Sequence, residues 1–225
     1  MISSTYKRLD INKAATLFID HQSGLMALAT DIAPDEYANN ISALVGITNL
    51  FGLPCVLTSS MEKGPNGPIV PCVKDNIKPD AYIQRDGQIN AWDNEEFRQA
   101  VYDLVKKGRT QFILSGIVTD VCVAFVALSL LHEKAHNPQM KDIQVFIATD
   151  SSGTNSQFIR EASWDRMSKA GAELMTWFAI ACELRINWHP LPENKQIPMD
   201  DFAQLVIAHS RPYASVWTSY QANKK

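Results

Sequence analysis

Short, uninterrupted apolar runs recur along this 225-residue chain, and each is cut off by polar residues. Residues 14–19 (AATLFI) stop at Asp20, and residues 54–57 (PCVL) stop at Thr58, Ser59 and Ser60. Residues 112–114 (FIL) precede a short polar break, and residues 143–148 (IQVFIA) stop at Thr149 and Asp150. Apolar runs of this length without alternation mark strands buried on both faces, which is what a parallel sheet requires. Residues 82–83 and 173–176 read as further, shorter strands.

Helical segments lie between the runs. Pro34 opens one that continues to about residue 51, with Ile41, Leu44, Val45, Thr48 and Leu50 as its apolar stripe and Gly52 at its end. Asn94 can cap a second over 95–107, with Phe97, Val101, Leu104 and Val105 on one face and Gly108 closing it. Residues 121–131 are apolar nearly all round, 158–170 are stopped by Gly171, and 177–184 follow the last strand. Residues 64–71 hold too many glycines and prolines for regular structure. Beyond about residue 185, Pro190, Pro192 and Pro198 break the chain before a helix at 200–208 and a Trp/Tyr-containing tail.

Strands alternating with helices of this length predict one doubly wound α/β domain over residues 1–225, with 186–225 as an extension packed on the core or on a neighbouring subunit. Crossovers between parallel strands are right-handed, so the carboxyl ends of all strands share one edge, where ligand sites form. Asp20, Thr58, Ser59, Ser60, Cys122 and Asp150 all follow strands and are expected along that edge.

The formal charge of −3 and the absence of any basic block beyond Lys224 and Lys225 argue against nucleic acid or an anionic membrane as partner. No apolar run is long enough to span a bilayer, and the start, MISSTYKRLD, lacks the apolar segment of a signal peptide. The expectation is a cytoplasmic protein whose four cysteines, Cys55, Cys72, Cys122 and Cys182, are free thiols.

Cys122 falls at the predicted start of the 121–131 helix, just past Thr119 and Asp120, either of which can cap it. Free backbone N–H groups and the helix dipole favour the thiolate there, so an apparent pKa below the roughly 8.5 of a free thiol is expected, with alkylation ahead of Cys72. The competing reading is a small apolar residue packed in a buried helix. Asp20, at the end of a very apolar strand, suits a proton acceptor, or else fixes the loop behind it. Asp150 precedes a Ser-Ser-Gly turn and reads as structural. Among the five histidines only His21 is on the active edge, while His132 and His136 follow Cys122 by about 15 Å or more at helical rise. A Cys–His pair is therefore open only through His21. No spacing of histidines or carboxylates is read as a metal site, and no cofactor fingerprint is found.

The segments LFIDHQ (17–22) and GIVTDVCV (116–123) resemble those of the isochorismatase-like cysteine hydrolases. NAWDN (90–94), GPNGP (64–68) and ASWDRM (162–167) resemble segments of the YcaC-like subgroup. The resemblance implies a six-stranded parallel sheet with helices on both faces and an Asp–Lys–Cys triad. Asp20 would be its acid/base and Cys122 its nucleophile. It also implies a cis peptide at Ile117–Val118, with the Val118 and Cys122 amides as an oxyanion hole. The third triad position reads Arg85, as in YcaC-like chains, and arginine is a poor proton shuttle. No cofactor and no counterpart of the nicotinamidase metal set are implied. The expected activity is hydrolysis of a small amide-like substrate through a thioester in a homo-octamer. The alternative is a binding or scaffold homologue that lost turnover through Arg85. Gln22, Trp92, Phe125 and Trp164 are candidate walls of the substrate pocket, and the aromatic ones could equally be core. The apolar residues of the tail (Phe202, Leu205, Val206, Ile207, Tyr213, Val216 and Trp217) are expected to be covered in an oligomer.

Overall fold

The computed structural model describes residues 6–189 and 197–223; Pro190, Pro192, Lys224 and Lys225, named above, lie outside the described residues. The strands are β1 (Ala14–Ile19), β2 (Cys55–Ser60), β3 (Ala81–Arg85), β4 (Gln111–Gly116), β5 (Gln144–Ala148) and β6 (Glu173–Met175). They form one sheet in the order β3-β2-β1-β4-β5-β6 with every pairing parallel. All residues of β1, β2 and β4 are buried, as strands covered on both faces must be.

Side chains alternate between two cores because successive residues of a strand point to opposite faces. Phe18, Leu57, Ile113 and Phe146 enter the first core with α1 (Pro34–Leu50), α6 (Trp177–Arg185) and α7 (Met199–His209). Leu17, Ile19, Val56, Leu114 and Ile147 enter the second with α3 (Glu95–Lys106), α4 (Ala124–His136) and Met167 of α5 (Gln157–Ala170). The result is a three-layer α/β/α domain. A short α2 (Pro71–Lys74) and a terminal α8 (Arg211–Ala222) complete the helices of the described residues.

Local signals place the helix ends. Asn94 accepts a hydrogen bond from the Phe97 amide at 3.0 Å, and Gly171 closes α5 with φ 107°. Three boundaries differ from expectation with consequences for the site. β2 runs on through Thr58–Ser60, and β3 runs to Arg85, because pairing with neighbours orders polar residues that a hydrophobicity pattern leaves as loop. The helix expected from residue 121 starts as a π-helical turn, Thr119–Val123, and becomes regular only at Ala124. In the tail, Phe202 and Val206 are buried in the chain's own first core, whereas Val216 and Tyr220 are exposed. His132 and His136 stand four apart on α4 with stacked rings, but the described residues hold no group of three or more His, Cys, Asp or Glu able to hold a metal.

Asp150 has a structural place: its Oδ1 accepts from the Trp177 amide at 2.9 Å at the start of α6. Burial pushes its carboxyl up to about 6. The folded chain therefore holds this proton more tightly than the unfolded chain does, and the stability present near pH 4 is lost as pH rises through about 6. Asp150→Asn keeps the acceptor and removes the charge. In thermal melts its stability gain over the parent should be near zero at about pH 4 and grow to about 1–3 kcal/mol by about pH 7.5. A gain independent of pH would contradict this reading.

Candidate active site

The order of the sheet reverses between β1 and β4: the chain leaves β1 toward β2 and leaves β4 toward β5. Connections on either side of such a point diverge and open a crevice at the carboxyl ends of the two strands. Asp20 is the first residue past β1, and Cys122 sits on the π-helical turn after β4. Close approach here depends on Gly116. It pairs with Ile19, and a Cβ on it would lie 2.3 Å from the Ile19 carbonyl oxygen. Asp20 itself has a positive φ of 55°, a conformation aspartate tolerates better than most residues. Its amide is held by the Thr58 carbonyl at 2.9 Å.

Arg85 reaches Asp20 from the end of β3, across the end of β2. Its Nη2 donates to both Asp20 carboxylate oxygens, its Nη1 to the Gln88 carbonyl, and its Nε to Thr58 Oγ1 at 2.9 Å. Thr58 Oγ1 in turn donates to the Ile83 carbonyl at 3.0 Å. The pair is sealed from solvent, with Asp20 1% and Arg85 2% exposed. Cys122 is partly exposed and is the one of the three residues not sealed from solvent.

The turn carrying Cys122 is fixed at several points. Ile117–Val118 is a cis peptide bond, and the Val118 N–H is directed at the Cys122 sulfur. The Val118 carbonyl accepts from the Val121 and Val123 amides, and the Thr119 amide donates to the Gly153 carbonyl at 3.0 Å. Neither Thr119 nor Asp120 caps a helix here. Asp120 instead accepts from Thr154 Oγ1 at 2.7 Å, which ties the turn to the segment after β5.

These surroundings reverse the expected charge state of the thiol. Burial pushes Cys122 up to about 12, and the Asp20 charge and hydrogen bond add to the rise; the Val118 amide and Arg85 oppose it. Asp20 is also raised by burial, against the pull of Arg85. The two groups share one proton, and it belongs on sulfur because a thiol is intrinsically the far weaker acid. At rest the site therefore holds a thiol, a carboxylate and a guanidinium, with no net charge.

Other candidates fall elsewhere. His21 is fully buried against Phe18 and Tyr37 on the first-core side of the sheet, with Nε2 2.8 Å from Ser115 Oγ. Burial lowers it to about 3, so it stays neutral and is no partner for Cys122. Gln22 is not placed to meet a ligand. Its amide is spent on the Ser60 and Gly67 carbonyls at 2.9 and 2.5 Å and on the Ser60 amide at 2.8 Å. Trp92 is buried edge-on against Phe97 and Tyr102 and reads as core. Phe125 and Trp164 are partly buried beside Cys122's own cluster, with the Arg160 guanidinium 4.8 Å above the Trp164 ring. Sequence reasoning missed the roles of Thr58, the Gln88 carbonyl and Thr154. Thr58 lay on the predicted edge, but which cation it would meet depends on the strand order.

Removing one partner of a buried pair leaves an unpaired charge, which costs about 3–5 kcal/mol. Arg85→Met should lower stability in urea by that amount, and adding Asp20→Asn should recover much of it. Equal destabilisation in the single and double variants would show that the pair is not what Arg85 supplies.

Comparisons with known proteins identify the family. The sequence model of the isochorismatase domain matches residues 14–178. The chain is 44% identical over 224 residues to the probable hydrolase YcaC of Escherichia coli K12, covering 100% of this chain and 99% of that protein. It is similar to the solved structure of YcaC from Pseudomonas aeruginosa with hexane-2,5-diol and covalent acrylamide. There the TM-score is 0.86 at 46% identity, covering 97% of this chain and 100% of the other. The E. coli YcaC structure, described as an octameric hydrolase of unknown specificity, superposes with a TM-score of 0.85 at 46% identity over 98% of this chain and 99% of the other. With the domain matched over most of its length and these full-length relatives, the chain belongs to the isochorismatase family.

Proposed function

We propose that this chain is a hydrolase that opens the C–N bond of a small amide-like substrate with Cys122 as nucleophile. The observation that carries the reading is the solvent-sealed Asp20–Arg85 pair set against a partly exposed thiol at the point where the strand order reverses. A carboxylate whose only outlet is a neighbouring thiol is poised to take that thiol's proton.

The proposed sequence balances as follows. The Cys122 proton passes to Asp20 as sulfur bonds to the substrate carbonyl carbon. The Val118 and Cys122 amides receive the oxyanion. The Asp20 proton then passes to the leaving nitrogen, the C–N bond breaks, and a thioester remains. Asp20 next takes a proton from water while the water oxygen attacks the thioester. The C–S bond breaks, sulfur recovers the proton, and a carboxylic acid leaves. Arg85 does not move a proton in this scheme. It keeps Asp20 ionised in a buried place and holds it in line, the positioning that the family lysine would also supply.

The relatives support the class of reaction: one is named a probable hydrolase, and another is described with covalent acrylamide. Acrylamide is an amide with an electrophilic carbon that thiolates attack. The octameric relative likewise supports a homo-octamer for this chain. The exposed apolar residues Trp188, Val216 and Tyr220 are surface that such an assembly would cover.

Incubation with acrylamide and with a panel of small amides, followed by mass spectrometry, should find adducts on Cys122 and none in Cys122→Ala. Labelling of Cys72 or Cys182 ahead of Cys122 would remove the nucleophile assignment. A labelled Cys122 without an acyl-enzyme on any amide would favour the binding-protein reading. Light scattering should give a particle of eight chains, and a monomer would exclude the assembly.

A further inference from the structure

We infer that the site selects uncharged substrates: the group bonded to the scissile carbonyl carries no carboxylate, phosphate or sulfate. This deepens the hydrolase reading above and rests on it. The geometric basis is that Arg85, the cation set beside the sulfur and Asp20, is already committed to the protein.

Arg85 is the nearest case. A guanidinium recognises an anionic ligand by presenting its planar fork of N–H donors. Here Nε is bonded to Thr58, Nη1 to the Gln88 carbonyl and Nη2 to both oxygens of Asp20, and the side chain is sealed from solvent. Its charge neutralises Asp20 and is not offered to the crevice. The charges that act on the Cys122 sulfur are those two, and they oppose each other. Arg160, on α5, is paired with Asp31 at 3.4 Å and has its guanidinium carbon 4.8 Å from the centre of the Trp164 ring. Outside Arg85, a groove at the ends of β2 and β3 is lined by Lys63 together with the carboxylates Glu62 and Asp86, an acidic excess.

An anionic substrate brought against Cys122 would lose water and gain no partner, and an unpaired charge in such a place is strongly disfavoured. The penalty grows along the proposed reaction, because the proton that moves to Asp20 leaves negative charge on sulfur. A neutral amide meets none of this. The same electrostatics act on the product: hydrolysis creates a carboxylate in a site whose arginine is already bonded to Asp20, which favours its departure.

Iodoacetamide and iodoacetate test the inference on the full-length protein. They differ by an amide nitrogen in place of a carboxylate oxygen. Both form an S–CH2 bond and release iodide, with the thiol proton passing to Asp20. Rates at Cys122 are read by mass spectrometry of its peptide, with Cys122→Ala as the blank, and each is divided by the rate of the same reagent on glutathione at the same pH and salt. The normalised preference for iodoacetamide should be at least about tenfold. A smaller preference overturns the inference while leaving Cys122 as nucleophile. A Cys122 that takes neither reagent ends the nucleophile reading, and the substrate class falls with it.

Discussion

The buried ion pair between Asp20 and Arg85 is the interaction on which the arrangement at the sheet edge depends. Taking two charges out of water costs several kcal/mol each, so such a pair persists only where the remaining donors and acceptors are also satisfied. Here Thr58 and the Gln88 carbonyl take two further donors of the guanidinium, and the Thr58 carbonyl holds the Asp20 amide. Three strand ends are thereby locked in one register, β1 through Asp20, β2 through Thr58 and β3 through Arg85. Only the fourth, β4, supplies the member left partly open, Cys122.

This division suits a site that must be rigid and yet reachable. The pair is sealed, whereas the sulfur lies on a turn tied down by Val118, by Gly153 and, through Asp120, by Thr154. The resting thiol is held protonated by the same carboxylate that is proposed to deprotonate it. A site of this kind is quiet until a substrate carbonyl arrives, because charge separation is favourable only when the oxyanion and its amide donors share it. An arginine in the place of the family lysine fits such a scheme if its task is to hold Asp20 in position and ionised.

Much of the fold was legible in the chain itself. The runs of residues 14–19 and 143–148 carry one polar residue each, Thr16 and Gln144, and not the alternation that a solvent-facing strand face would need, so a two-sided sheet followed directly. The placement of Asp20 and Cys122 on a common edge followed from the handedness of crossovers. Other features were not legible. β3 shows only Ile83 and Arg85 buried, too weak a pattern to mark where the strand ends, so the position of Arg85 came from resemblance and not from periodicity. Gln22 and Trp92 looked available because their neighbours in sequence are polar. Their commitment to Ser60 and Gly67, and to Phe97 and Tyr102, comes from segments distant in the chain or from packing across helices.

What the sequence by itself determined is the alternation of strands and helices and the edge on which the chemistry-bearing residues gather. Those depend on local hydrophobicity and on chirality rules common to all such sheets. Only the tertiary structure decided the charge state of Cys122 and the fate of Arg85. A helix start in isolation favours a thiolate, but burial and a neighbouring carboxylate favour the thiol, and together they win because burial also weakens solvent screening. Whether a guanidinium is free to bind an anion likewise depends on which donors its neighbours have already taken, and those neighbours come together only when β1, β2 and β3 are laid side by side.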